Sequence, residues 1–184
     1  MGTKSPHLPD DGEGPLRAAR LKPFRMGAKT VTNAEFASFV EDTGYVTEAE
    51  RFGWSFVFWS EVPPEIEMTQ GIEGLEWWRR VDGAYWKAPR GPGSSPDADH
   101  PAVHISWNDA RAIAAWAGAT LPTEAQWEHA ARGGLEDVPF PWGDAEPDDS
   151  TFCPCNIWQG EFPKVNTAVD GYLSTAPARS FAPN

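Results

Sequence analysis

The chain reads as an α+β domain with little regular secondary structure, and three observations predict it. Short helices are announced by capping signals: a Ser or Thr is followed three residues later by Asp, Glu or Gln at 32–35, 47–50, 106–109 and 123–126. A compact aromatic run from Trp54 to Trp59 has strand character. The 18 prolines and 17 glycines among 184 residues exceed the roughly 12% of average usage, so ordered loops take the place of long elements. Ten tryptophans supply the buried area such a fold lacks, each covering on the order of 150–250 Å².

In chain order, the polar, Gly/Pro-rich stretch from Met1 to Pro15 is expected to be a lead-in loop, and Arg17 to Met26 alternates loosely, as a strand would. Thr32 and Glu35 form a capping box; Phe36, Phe39 and Val40 then share one helical face until Gly44. Thr47 to Glu50 starts one more helical turn before the aromatic strand. Val62 to Gly74 is acidic with scattered prolines and reads as an exposed loop. The stretch from Trp77-Trp78 through Trp86 to Pro89 carries three tryptophans and a tyrosine. A Gly/Pro/Ser-rich connector, Arg90 to Asp99, leads into a strand-like Pro101 to Ile105. Ser106 and Asp109 start the next helix, which Gly118 stops; Thr123 and Gln126 start another, which Gly133 and Gly134 end. No periodicity follows from Leu135 onward, and no repeat or linker divides the chain, so residues 1–184 are read as one domain.

The formal net charge of −12 repels phosphate backbones, which excludes nucleic acid as a natural partner and favours cations or basic peptides. No run of about 18 apolar residues and no charged-then-apolar leader is visible, so neither a membrane span nor a secretory signal is expected. With Met1 as the true start, a cytoplasmic setting follows. Cys153 and Cys155 are the only cysteines, two positions apart, a poor spacing for a mutual disulfide.

The segment from His100 to Gly134, with PWGD (Pro141 to Asp144), Asn156 to Pro177 and the upstream Val31 to Phe58, closely resembles the formylglycine-generating enzymes, also called sulfatase-modifying factors. The resemblance implies an α+β fold related to C-type lectin-like domains. It implies a copper-dependent oxidase that uses O₂ to convert a sulfatase cysteine, within a Cys-x-Pro-x-Arg segment, to Cα-formylglycine. It also implies a structural calcium site in which Asn156 and Asp170 give side-chain oxygen and Ile157 and Tyr172 give main-chain oxygen, the hard donors Ca²⁺ prefers.

In that family the copper cysteines lie downstream of the part matched here, and Cys153 and Cys155 do not align with them. The 184 residues are therefore expected to be an incomplete domain without its C-terminal catalytic segment, inactive alone. No catalytic residue is assigned to it. The alternatives are a non-catalytic paralogue or lectin-like binding module, and a gene fragment with no stable fold.

Other residues carry weaker signals. Trp77, Trp78, Ser55 and Trp54 could line a cleft, because aromatic faces beside a hydroxyl suit an extended peptide. Such tryptophans are more often core. His100 and His104 are four apart but Pro101 forbids a helix through them, so each is expected to bond a backbone group rather than a metal. Cys153 and Cys155 could hold Cu(I) as thiolates, or be plain loop thiols. Glu124 and Glu128 sit on one helix face near cap positions and read as dipole-complementing or solvated carboxylates.

Overall fold

The computed structural model describes residues 1–66 and 70–184. Among the described residues, four short α-helices, two single 3-10 turns and one small sheet are spaced by loops. Helix α1 (Asn33–Thr43) begins where the Thr32 hydroxyl accepts from Glu35 N and the Glu35 carboxylate returns to Thr32 N. The ammonium of Lys29, then the Thr32 N–H, hold the Glu35 carboxyl down at about 2. Gly44 ends the helix at φ 64°, a left-handed turn that glycine adopts without Cβ strain.

Helix α2 (Glu48–Phe52) is one capped turn between Thr47 and Gly53 and hands the chain directly to strand β1 (Trp54–Phe58). Strand β2 (Gly71–Ile72) and strand β3 (Leu75–Asp82) complete an antiparallel sheet of order β1-β3-β2. Its register pairs Trp54 with Asp82 and Phe58 with Trp78. Helix α3 (Trp107–Trp116) and helix α4 (Glu124–Ala131) carry capping boxes at Ser106/Asp109 and Thr123/Gln126.

Two small cores hold these pieces. Phe36 and Phe39 of α1 pack edge-to-face at 5.5 Å, and Phe36 meets Trp86 at 5.2 Å, with Ile113 of α3 closing the cluster. Burying each such side chain stabilises the fold by about 1.5–3 kcal/mol. The second core is Val57, Val81 and Ala84 under the sheet. At the edge of the first core, where Tyr45 packs, Asp109 is fully buried and accepts from Ser106 N, Glu48 N and the Tyr45 hydroxyl. One carboxylate thus caps α3, starts α2 and anchors the end of α1.

Two expectations are corrected, and one element is added. Residues 17–26 form no strand, since Pro23 lacks an N–H for a ladder and no partner strand lies alongside among the described residues. Residues 101–105 give a single bridge, Thr32 to Pro101, because His104 turns left-handed at φ 57° and breaks the pleat. The Trp77–Trp78 stretch, to which the sequence assigns no element, is part of the central strand of the sheet. The loop reading of Val62 to Gly74 meets β2 at its end; its residues 67–69 lie outside the described residues.

Residues 1–15, expected as a lead-in loop, are tied to α4. Glu128 takes the Gly2 N–H through both oxygens at 2.9 and 3.1 Å, and Arg132 donates to Gly2 O at 3.1 Å while pairing with Glu128 at 2.7 Å. Glu128 is therefore an anchoring residue rather than a solvated one. At the other end of the chain, Asn184 donates through its amide to the Ala130 and Ala131 carbonyls. Helix α4 has no fully buried residue and leaves Trp127 62% exposed, so these ties, with the edge-on contact of Phe24 on His129 at 6.1 Å, help seat it.

Candidate functional site

The loops after α4 fold back through a series of side-chain-to-backbone bonds. Asp148 accepts from the Thr151 N–H, from Ser150 N at 2.8 Å and Phe152 N at 3.2 Å, and from both neighbouring hydroxyls. These donors, the Thr151 N–H first, hold its carboxyl well below the usual range. Asp149 accepts from Gly160 N at 2.8 Å. Gly160 stands at φ 99°, where a Cβ would lie 2.8 Å from Val165 O. Only glycine fits that turn.

This brings the four residues expected to hold calcium into one loop system. Asn156 uses its amide nitrogen on Ser174 O at 2.7 Å, leaving the amide oxygen as the candidate ligand atom. Asp170 accepts from Tyr172 N through Oδ1 at 2.9 Å, while its Oδ2 is buried without a hydrogen-bond partner among the described residues. Gln159, fully buried, bridges the set: Nε2 donates to Ile157 O and Oε1 accepts from Asp170 N at 3.3 Å. A buried carboxylate oxygen without a donor carries an unrecovered desolvation cost of about 1–3 kcal/mol, more when charged, and a cation is one group that removes it. In donor chemistry, an amide oxygen, a carboxylate oxygen and main-chain carbonyls are the kind of ligand a hard divalent ion takes.

The four cleft candidates are divided by the pleat of the sheet. Successive strand residues face opposite sides, so Ser55 and Trp77 share the face of Val57 and Val81, and Trp54 and Trp78 share the other. Trp54 lies 4.6 Å beneath the Arg80 guanidinium and edge-on to Phe56 at 5.1 Å. Trp78 packs on Phe58 at 5.8 Å. Phe162 touches both Phe58 at 6.1 Å and Trp77 at 5.1 Å, joining the two faces at one end of the sheet, where Trp158 completes the cluster. Phe162 and Trp158 are functional candidates that sequence reasoning does not find, since nothing local announces a contact across more than 80 residues.

Ser55 has a partner of its own. His104 Nδ1 lies 2.8 Å from Ser55 Oγ, and Nε2 lies 2.8 Å from the Pro89 carbonyl. A carbonyl only accepts, so Nε2 carries the proton and Nδ1 accepts from the serine hydroxyl. Burial, the largest influence, pushes the His104 imidazole below its ordinary value, partly offset by the Pro89 bond and the Glu61 charge. The expected backbone bond is present for His104, whereas His100 bonds the Thr175 hydroxyl at 2.7 Å.

Copper finds no complete ligand set among the residues present. Cys153 and Cys155 offer two thiols, and burial and then the nearby Asp170 carboxylate hold both above their ordinary range, which makes the thiolate a soft metal takes costlier to form. Among the described residues, no three His, Cys, Asp or Glu side chains are grouped to hold a metal.

Comparison with known proteins supplies the remaining context. The profile of the sulfatase-modifying factor enzyme 1-like domain matches residues 1–184. The chain is 54% identical to the formylglycine-generating enzyme of Thermomonospora curvata, across 100% of this chain and 62% of that protein. It is 52% identical to the formylglycine-generating enzyme of Streptomyces coelicolor, across 96% of this chain and 57% of the relative. It is also 48% identical to the inactive C-alpha-formylglycine-generating enzyme 2 of Bos taurus, across 100% of this chain and 60% of the relative. The chain thus spans less than two thirds of the length of these relatives.

Proposed function

Because the chain belongs to the sulfatase-modifying factor enzyme 1-like domain family, we propose that it is the scaffold portion of a formylglycine-generating oxidase. The observation that carries this reading is the 54% identity to a formylglycine-generating enzyme over the whole chain. The substrate is a sulfatase polypeptide, its cysteine set in a Cys-x-Pro-x-Arg segment and oxidised with O₂ to Cα-formylglycine. A surface of net charge −12 suits an arginine-bearing peptide by steering it and by repelling acidic competitors. The fold is that of the family, related to C-type lectin-like domains.

Within this reading the chain binds and orients. The apolar rings of Trp77 and Phe162 form a surface for an extended peptide at one end of the sheet, with Ser55 on the same face four strand positions away and its hydroxyl held by His104. Calcium is held by the Asn156 and Asp170 side chains with the Ile157 and Tyr172 carbonyls, and supplies fixed positive charge that locks the loop. The family's copper has no fitting ligands here, so no oxidising step is assigned to these residues. Two unpaired thiols, Cys153 and Cys155, suit a reducing compartment such as the cytoplasm.

The similarity to an inactive relative favours one second reading, a paralogue that binds the peptide without oxidising it. Incubation of a Cys-x-Pro-x-Arg peptide with Cu(I) and O₂ separates the two, with aldehyde followed by mass spectrometry. The 184-residue chain is expected to form none, and a form extended past Asn184 with two added cysteines is expected to form it. Absence of aldehyde from that extended form would replace the oxidase with the binder.

A further inference from the structure

We infer that Gln159 is a positioning residue that presets the cation cage, holding the Ile157 carbonyl and the Asp170 carboxylate at their bound spacing before any ion arrives. The inference rests on the calcium reading above and goes beyond it, since Gln159 is not itself one of the four ligands. Three observations carry it. Gln159 is fully buried, so its amide cannot be serving solvent. Its two ends grip two different ligand residues, Nε2 on Ile157 O and Oε1 on Asp170 N at 3.3 Å. Its own backbone carbonyl accepts from Thr167 N at 2.9 Å, which closes the intervening loop on the same residue.

An amide is the group this position requires. It must donate at one end and accept at the other, which neither a carboxylate nor an apolar side chain of the same size can do. Meanwhile Asp170 keeps Oδ2 buried and without a partner among the described residues, an oxygen for which a cation would be the positive counterpart. Residues that orient ligands from behind typically contribute roughly 10- to 100-fold to metal affinity.

The test measures Ca²⁺ binding calorimetrically for the full chain, its Gln159→Met variant and its Gln159→Glu variant, alongside the melting midpoint of each in chelator. The expected result is a Kd raised by about 10-fold or more in both variants, in excess of any change in chelator stability. The carboxylate introduced by Gln159→Glu keeps the acceptor facing Asp170 but loses the donor facing Ile157, so a wild-type Kd in that variant would remove the bridging role. A wild-type chain that binds no Ca²⁺ would instead remove the cation site itself. Where both variants fail to fold, the Gln159 side-chain amide resonance of the wild type is followed through a Ca²⁺ titration. A saturable shift with retained slow exchange supports the bridge, and an unmoved, rapidly exchanging signal overturns it.

Discussion

The Tyr45 hydroxyl donates to Asp109 Oδ1 at 2.9 Å, across 64 residues of sequence. That bond sets the loop after α1 against the first turn of α3, and the same carboxylate also receives Glu48 N at 3.1 Å. Burial first, and then the bond to Asp109, push the Tyr45 phenol above its ordinary value, consistent with a hydroxyl committed to donating. Three segments therefore share one buried acceptor.

Asp109→Ala strands three donors at once, each worth about 1–3 kcal/mol when left without an acceptor in the interior. We expect a stability loss of about 3 kcal/mol or more in urea unfolding, and about 1 kcal/mol for Tyr45→Phe, which removes a single bond. A loss below about 1 kcal/mol for the alanine variant would mean that water replaces the carboxylate and that the hub is not structural.

His104 gives a pH dependence of definite sign. Its folded-state value is below the ordinary 6.5, so between the two values the unfolded chain binds the extra proton. Its contribution is present above about 6.5 and lost as pH falls through that window toward the folded value. Stability measured from about pH 8 to about pH 5 is expected to decline more steeply for the wild type than for His104→Gln. Parallel curves would show that this imidazole titrates freely.

Asp170 ties the calcium reading to a melt. An ion that binds only the folded chain stabilises it by about 2.7 kcal/mol when present at roughly 100 times its Kd. The wild-type midpoint is expected to be higher in Ca²⁺ than in chelator, and Asp170→Asn is expected to show no difference. An equal wild-type midpoint in both conditions argues that the buried Oδ2 is met by water.

What can be read from the sequence is what is local. All four capping boxes stand where Thr32, Thr47, Ser106 and Thr123 place them, because a cap needs only residues three positions apart. Strand β3 is hidden because Trp77-Trp78 and Arg79-Arg80 set like residues side by side, which erases the alternation a strand displays. In the sequence Asp109 reads as a dipole complement, and its bonds to Tyr45 and Glu48 depend on chain folding that no local pattern encodes. A strand is expected through His104, whereas its left-handed backbone is set by its bonds to Ser55 and Pro89. Gln159 gives no signal for a similar reason: the residue it grips lies eleven positions ahead, beyond a turn that Gly160 makes possible.

The seat of α4 has a kinetic side. Gly2 reaches Glu128 over 126 residues and Asn184 reaches Ala130 over 54, so neither contact can form until long loops have closed. The entropy of closing them falls on a helix with no fully buried side chain to nucleate it early. In a refolding experiment this corner should gain its hydrogen-exchange protection last, and in the native protein it should be the first to open.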